Sequence, residues 1–249
     1  MPTEKVSLNC DNCSAMWKVT DSTHCWSVSG KQPPQPFDCP AKVYNDVIGK
    51  AFDKYTGDTS VAKIARAATK AEGLGYYRDA AGKAKAPRWT RVESTIAFAK
   101  IMGFKKIGIA SCISLLVETK NLATILENQG FELCTVCCKA GSIDKSRIGI
   151  GDQCKVNPGT LEPMCNPVAQ AEICNRRGTD MNIILGLCVG HDMLFSMHSK
   201  APVTTMVVKD RVTGHNPIAV LYGQNYYYKR LQHEPVLEDK DLQCPESKP

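Results

Sequence analysis

Between Thr90 and Gly223, short apolar runs alternate with amphipathic helical patterns, and the links between them are short. Apolar runs of this length are typical of strands covered on both faces, and their alternation with helices favours βαβ units. The sequence predicts strands at 106–110, 131–136, 182–187 and 203–208, and helices at 91–102, 115–128, 167–176 and 191–198. We therefore expect an α/β fold with a doubly wound, mainly parallel sheet of about four to five strands.

The chain outside this region has a different character. Residues 1–40 show little apolar periodicity and contain four cysteines, which indicates a small metal-binding segment. Residues 41–89 predict a helical connector, with helices at 42–55 and 60–71 followed by a loop. Residues 90–223 then form the α/β domain with a cysteine-lined crevice, and residues 224–249 form a charged carboxyl-terminal tail.

Cysteine content and charge narrow the functional classes. The chain has 13 cysteines, an odd number that cannot all pair as disulfides. It has no apolar leader and no apolar run of the roughly 18 residues that a membrane span needs, so we expect a cytoplasmic protein. In such a protein we expect the thiols to act as ligands or redox groups. The net charge of +6 comes largely from residues 63–91, where a solvated helix face explains the basic run, so nucleic-acid binding ranks last.

Five cysteines fall where one crevice is expected. Cys112, Cys137, Cys138 and Cys188 follow predicted strands, and Cys165 stands two residues before a helix that Pro167 opens. Because the carboxyl ends of parallel strands form one crevice, these thiols should lie close together. Cys112, Cys138, Cys165 and Cys188 would suit an iron–sulfur cube or a tetrahedral zinc, with Cys137 as a replacement ligand.

Four polar residues near the same edge are candidate catalytic groups. His191 and Asp192 follow Cys188 directly and are suited to ligating a metal, moving protons or capping the helix that they begin. Lys209 and His215 follow the last predicted strand and can supply charge and hydrogen bonds to a small anionic substrate.

The remaining cysteines fall into three groups. Cys10, Cys13, Cys25 and Cys39 are candidate ligands of a second metal centre, with a reversible redox pair at Cys10 and Cys13 as the alternative. Cys134 and Cys174 lie inside a predicted strand and helix, where a free cysteine behaves as a small hydrophobic residue. The two that are left, which could join either metal group, are Cys154 and Cys244.

Several long motifs carry a family resemblance. The chain resembles a family of prokaryotic proteins of unknown function that are described as predicted metal-binding proteins. The resemblance lies in the pieces RVESTIAFAKIMGFKKIGIASCISL, VCCKAG, CNPVAQAE, NIILGLCVGHDMLFSMHSKAPVTTMVVKDR and GHNP. The resemblance implies metal binding and no particular reaction. A fainter likeness relates GLCVGHD to the strand-end cysteines of carbon monoxide dehydrogenase and hybrid-cluster proteins, and the paired Cys137 and Cys138 resemble part of the heterodisulfide reductase cluster domain. Both likenesses favour iron–sulfur over zinc.

Two functions follow as hypotheses. The first is an iron–sulfur protein with one or two clusters of the 4Fe-4S type, acting in electron transfer or small-molecule redox chemistry with a redox partner protein or a small substrate. The alternative is a zinc-binding, non-enzymatic module for partner binding or metal delivery, with a zinc-ribbon head on the α/β body. If the protein is an enzyme, we expect an iron–sulfur oxidoreductase or a sulfur-transfer enzyme. The sequence predicts no oligomeric state.

Overall fold

The computed structural model describes Cys10 and residues 40–233, 237–238 and 242–244. The chain divides into two compact units, residues 1–70 and residues 71–249. Among the described residues, no helix has the length and hydropathy that crossing a bilayer requires.

The described part of the first unit is helical. Helices α1 (Pro40–Val43) and α2 (Asn45–Asp53) occupy the region for which a single helix was predicted, and α3 (Ser60–Leu74) continues into the second unit. The single helix is interrupted at Tyr44, whose backbone angles of φ −113° and ψ 38° are not helical. The start of α3 is capped, because the Thr59 hydroxyl accepts a hydrogen bond from the Ala62 amide at 3.1 Å.

A small antiparallel hairpin lies where the sequence predicts a loop. Strands β1 (Tyr76–Arg78) and β2 (Ala84–Pro87) pair through a turn in which the Asp79 carboxylate accepts the amides of Ala81 and Lys83 at 3.0 and 2.8 Å. Gly82 adopts φ +77° there, a conformation that glycine reaches without strain. Every residue of both strands is exposed, so no apolar alternation marks them in the sequence.

The main sheet has the expected parallel topology. Four strands lie in the order β4-β3-β5-β6, and each neighbouring pair is parallel. These strands are β3 (Lys106–Ser111), β4 (Glu132–Cys137), β5 (Met181–Leu185) and β6 (Val203–Val207). The helices between and before them are α4 (Arg91–Met102), α5 (Leu116–Asn128), α6 (Pro167–Arg177) and α7 (His191–His198). Each matches a predicted element to within a few residues, so the doubly wound α/β fold is confirmed.

Local signals explain why these boundaries are predictable. Thr90 and Glu93 form a reciprocal capping box at the start of α4, and the helix ends at Gly103, which has φ +72°. Pro167 occupies the first turn of α6, where its missing amide hydrogen costs nothing, and the Asn166 side chain accepts the Ala169 amide at 3.0 Å.

The two faces of the sheet carry separate cores. On one face, alternate strand residues such as Ile109 and Ile183 pack with Leu126 of α5. On the other face, Ala110 and Ile184 pack with Ala171 of α6 and Phe195 of α7. The helix that follows β3 therefore covers one face, and the helix that follows β5 covers the opposite face. Because β3 and β5 are neighbours, the sheet has a topological switch point at their carboxyl ends, which is where open α/β folds bind ligands.

A cross-linked excursion joins β4 to α6. Residues 139–166 contain two short 3₁₀ turns, Lys145–Ile148 and Asp152–Cys154. Lys155 contacts Asp144 and Asp152 at 3.4 and 3.2 Å, and Lys145 pairs with Glu162. The remaining described elements are a 3₁₀ turn at Ile113–Leu115, directly before α5, and the short helices α8 (Ile218–Tyr222) and α9 (Arg230–His233). The sequence patterns did not predict α8 or α9.

Candidate functional site

Backbone hydrogen bonds place two cysteines at the carboxyl edge of the sheet. The Cys112 amide donates to the Leu185 carbonyl at 3.1 Å, so Cys112 lies between the ends of β3 and β5. The Cys138 amide donates to the Ser111 carbonyl at 2.8 Å, so Cys138 lies between the ends of β3 and β4. Both side chains are buried, with 6% and 1% exposure. The switch point is therefore lined by thiols.

Cys165 reaches the same edge from the excursion. The amide of the following residue, Asn166, donates to the Cys138 carbonyl at 2.7 Å, and the Cys138 and Cys165 side chains influence each other's pKa. The Ile113 amide donates to Cys138 Sγ at 3.4 Å, which links this pair to the turn that carries Cys112. Cys112 follows β3, and Cys138 and Cys165 stand at the two ends of the connection between β4 and α6, so two connections form one cluster of three thiols.

The Cys138–Cys165 pair shares one proton unequally. The hydrogen bond from Cys138, together with the positive charges of Lys139 and His191, lowers the pKa of Cys165 to about 5 although burial opposes this shift. The same hydrogen bond and burial raise the pKa of Cys138 far above its ordinary value. Cys165 is therefore the thiolate of the pair, and Cys138 remains protonated and donates to it.

Cys112 is the second thiol with a lowered pKa. Burial raises the pKa of Cys112, but hydrogen bonds from Ser114 and from Lys209 outweigh burial and bring it below the ordinary value of 9.0. The Cys112 sulfur lies 3.3 Å from Ser114 Oγ, and Lys209 Nζ donates to the same hydroxyl at 2.7 Å. Lys209 is itself buried, with 9% exposure.

The other predicted crevice ligands lie at the margin of this cluster. Cys137 is partly buried and packs against the hydrophobic core that contains Cys112 and Cys138. Cys188 is also partly buried, and its sulfur accepts a hydrogen bond from Arg211 Nη2 at 3.4 Å. No recorded contact joins Cys188 to the other four sulfurs within the described part of the chain.

The predicted catalytic residues divide into two kinds. Lys209 and His191 act on the cluster, the first through its contact with Cys112 and the second through its charge near Cys165. Asp192 accepts the Met193 amide at 2.8 Å within the first turn of α7. His215 has φ +66°, and its Nδ1 accepts the Asp210 amide at 3.1 Å. These contacts make Asp192 and His215 parts of their own turns.

As the side chains stand, the described residues contain no group of three or more His, Cys, Asp or Glu side chains arranged to hold one metal ion. The donor chemistry nevertheless fits a thiophilic centre, because three thiols share one cluster and two of them have lowered pKa values. Sharing one ion would require the thiols of Cys112, Cys138 and Cys165 to reorient. Of the predicted amino-terminal ligands, Cys10 is exposed, and Cys13, Cys25 and Cys39 lie outside the described residues.

The structure adds residues that sequence patterns did not identify. Gln170 is fully buried, and its Nε2 donates to the carbonyls of Ser111 and Val136 at 3.2 and 2.6 Å, which ties the ends of β3 and β4 together. Its Oε1 has no hydrogen-bond partner within the described residues. The only sequence feature that could have pointed to a role for Lys139 at this cluster is its position directly after Cys138. Gln170 is a polar residue in the first turn of a helix, and nothing in that sequence pattern indicates that it joins the ends of two strands.

The remaining cysteines form two pairs. Cys134 and Cys174 are buried beside each other between β4 and α6, in keeping with the prediction that they belong to the core. Burial and the neighbouring Cys134 raise the pKa of Cys174 to about 12. Cys154 and Cys244 form a disulfide with a Cα–Cα distance of 5.2 Å, so neither is a free ligand for the cluster.

Comparison with known proteins identifies relatives of unknown activity. Residues 39–206 match the family described as "Protein of unknown function (DUF1847)". The chain is also 45% identical over 186 residues to the uncharacterized protein MJ0455 of Methanocaldococcus jannaschii, an alignment that covers 75% of this chain and 88% of the relative. The matched region includes the cluster cysteines Cys112, Cys138 and Cys165.

Proposed function

The chain belongs to the DUF1847 family, and for this member we propose a thiolate metal centre at the carboxyl edge of the sheet, in the form of an iron–sulfur cluster with an electron-transfer or small-molecule redox role. One observation carries the proposal. Cys112 lies at the topological switch point between β3 and β5, and Cys138 and Cys165, from the two ends of the β4–α6 connection, meet it at the same carboxyl edge of the sheet. Open α/β sheets bind their ligands and cofactors at that point.

The protonation of these thiols supports the proposal. A cysteine binds metal as its thiolate, and metal affinity falls when a proton must first be removed. Cys165, with a pKa of about 5, and Cys112, whose pKa is also lowered, are therefore prepared for ligation before any metal arrives. Cys138 would lose its proton on binding, so we expect metal uptake to release protons.

A fourth ligand would come from the margin of the cluster. Cys188 and Cys137 are both partly buried at this edge, and either would complete a four-thiolate set. The bound cluster would supply one-electron transfer. Hydrogen bonds to the sulfurs and nearby positive charge tune cluster potentials, and Arg211 and Lys209 already contact Cys188 and Cys112.

The same four thiolates would also suit zinc, which is the alternative within this proposal. Zinc would make the protein a non-enzymatic binding or metal-delivery module. A cytoplasmic location belongs to the proposal as well, because reducing compartments keep such thiols free, and there the Cys154–Cys244 pair would be held reduced. Iron with an open coordination site would favour an oxidoreductase or a sulfur-transfer enzyme, and a fully ligated cluster would favour electron transfer to a partner protein.

A second candidate has its own observation. The hydrogen bond between Cys138 and Cys165, with the thiolate on Cys165, is the arrangement of an attacking and a resolving thiol in disulfide exchange. This activity needs no metal. Disulfide exchange would be the better explanation of the cluster if the protein purified without oxygen held neither iron nor zinc.

The test is metal and acid-labile sulfide analysis, with an absorption spectrum, on protein purified without oxygen. We expect iron and sulfide in near-equal amounts, a brown protein solution and an absorption band at roughly 400 nm, as for cysteinyl clusters. Cys165→Ala and Cys138→Ala should lose the band. Cys134→Ala, a buried cysteine outside the cluster, is the matched control and should keep it.

The outcomes separate the candidates. Zinc without sulfide selects the zinc module, and no metal in any preparation rules out both metal proposals. Retention of full iron and sulfide by both Cys165→Ala and Cys138→Ala would place any cluster elsewhere in the chain.

A further inference from the structure

Lys209 is a buried cation whose recorded hydrogen-bond partners carry no carboxylate. Its side chain is only 9% exposed, although lysine is almost never buried unless it is paired. Its ammonium group donates to Ser114 Oγ at 2.7 Å and lies beside the Cys112 thiol. Within the described residues, no Asp or Glu oxygen lies within ion-pair distance of it.

The ammonium group of Lys209 has more donor hydrogens than it has hydrogen-bond partners among the described residues. A lysine ammonium has three donor hydrogens, and within the described residues its hydrogen bond to Ser114 uses one of them. Taking a charged group out of water is costly unless the group is paired, so a buried lysine of this kind favours a negatively charged partner.

The site is open on one side. Ser114, which shares the ammonium, is exposed to solvent, so a small ligand can reach the Lys209–Ser114 pair. A second cation, Arg211, lies at the same edge of the sheet, and among the described residues its side chain hydrogen-bonds Cys188 alone.

The nearest acidic side chain in sequence does not neutralise these cations. Asp210 stands between Lys209 and Arg211, but its Oδ1 accepts the amides of Val212 and Thr213 at 2.9 and 3.0 Å. The carboxylate is therefore committed to its own turn, and both neighbouring cations remain without an acidic partner among the described residues.

We propose that Lys209 and Ser114, with Arg211 at the same edge, form a binding site for a small anion, a carboxylate or an inorganic oxyanion, beside Cys112. The ammonium would donate to an oxygen atom of the anion, and the Ser114 hydroxyl, which accepts from the ammonium, would hold it in position next to a cysteine of the thiol cluster. That such an anion is a substrate of the redox centre rests on the proposed function, whereas the binding itself does not.

Calorimetric titration of the full-length protein with inorganic phosphate and with acetate, in a buffer free of competing anions, tests the site. We expect saturable binding of at least one probe, and the tighter of the two identifies the ligand as an oxyanion or a carboxylate. Lys209→Met keeps the length of the side chain and removes its charge. The loss of a charge-assisted hydrogen bond should weaken binding by about tenfold or more.

Two further variants control for folding and for general charge. Ser114→Ala changes an exposed hydroxyl and should also weaken binding. Lys105→Met makes the same substitution as Lys209→Met at an exposed lysine just before β3, at the opposite end of the sheet, and should bind as the wild type does. Equal binding by Lys209→Met and wild type, or no saturable binding of either probe by wild type, would overturn the proposal.

Metal analysis of the same samples separates this inference from the proposed function. Anion binding by a protein that holds no metal would refute the metal centre and leave the anion site standing. A metal-containing protein that binds neither probe would refute the anion site alone.

Discussion

Cys138 and Cys165 lie in contact but differ in protonation, and the cause is the residues around each sulfur. The hydrogen bond from Cys138 and the positive charge of Lys139 favour the thiolate of Cys165. The same hydrogen bond and burial favour the protonated form of Cys138. Two side chains of the same type therefore acquire different chemistry within one cluster.

This difference predicts how the metal-free protein reacts with iodoacetamide. Because the pKa of Cys165 is about 5, its thiolate predominates at neutral pH. The alkylation rate of Cys165 should thus be nearly constant from about pH 6 to about pH 8 and should fall only as the pH approaches the pKa. Mass spectrometry of quenched samples measures the rate at this one cysteine.

Removing the hydrogen-bond donor should change that profile. In Cys138→Ala the thiolate of Cys165 loses its main stabilising contact, and its pKa should rise by about one to two units, since hydrogen bonds to charged groups contribute about 1.5–3 kcal/mol. Alkylation near about pH 6 should then slow severalfold. A rate in Cys138→Ala that matches wild type at every pH would contradict the assigned hydrogen bond.

At the scale of elements, the close approach of α6 to β3 depends on a glycine. A Cβ at Gly108 would lie 2.0 Å from Asn182 Oδ1 and 2.9 Å from Cys174 Sγ. Asn182 cannot move easily, because it hydrogen-bonds Thr179 and Ser199 at 2.8 Å each. The sheet and the helix that supports the cluster can pack this closely only without a side chain at position 108.

Gly108→Ala should therefore destabilise the second unit. Overpacking a core of this density costs about 1–3 kcal/mol in the free energy of unfolding, which urea denaturation measures. In an Asn182→Ala background the same change should cost less, because the clashing oxygen is gone. Identical stability of Gly108→Ala and wild type would show that α6 and β3 are less tightly packed than the structure indicates.

At the scale of the whole molecule, a disulfide joins parts of the chain that are far apart in sequence. Cys154 lies in the excursion that leads to Cys165, Cys244 lies near the carboxyl terminus, and 90 residues separate them. A cross-link that closes a loop of this length reduces the entropy of the unfolded chain, and such bonds typically add about 2–4 kcal/mol to stability.

The corresponding experiment compares reduced and oxidised protein. Under oxidising conditions, Cys154→Ser combined with Cys244→Ser should lower the free energy of unfolding by about 2–4 kcal/mol. Dithiothreitol should lower the stability of the wild type by a similar amount and leave the double variant unchanged. Equal stability of oxidised wild type and the double variant would mean that this bond does not hold the tail in solution.

Local chemistry explains which elements the sequence alone determined. Pro167 in the first turn of α6 and the buried apolar runs of β3 and β5 are short-range signals, and all three survive in the structure. The hairpin formed by β1 and β2 was missed because its residues are exposed and carry no alternation. That Cys112 and Cys138 stand at the carboxyl edge follows from the βαβ order itself.

Only the tertiary structure decided the chemistry of that edge. Lys209 and Ser114 are 95 residues apart in sequence, and Gln170 joins carbonyls 59 and 34 residues away. The proton held by Cys138 and the thiolate of Cys165 likewise depend on neighbours brought in by separate loops. Hydropathy and capping act over a few residues of chain, whereas burial and Coulomb interactions act over a few ångströms of space, so folding has to bring these groups together before their charges are determined.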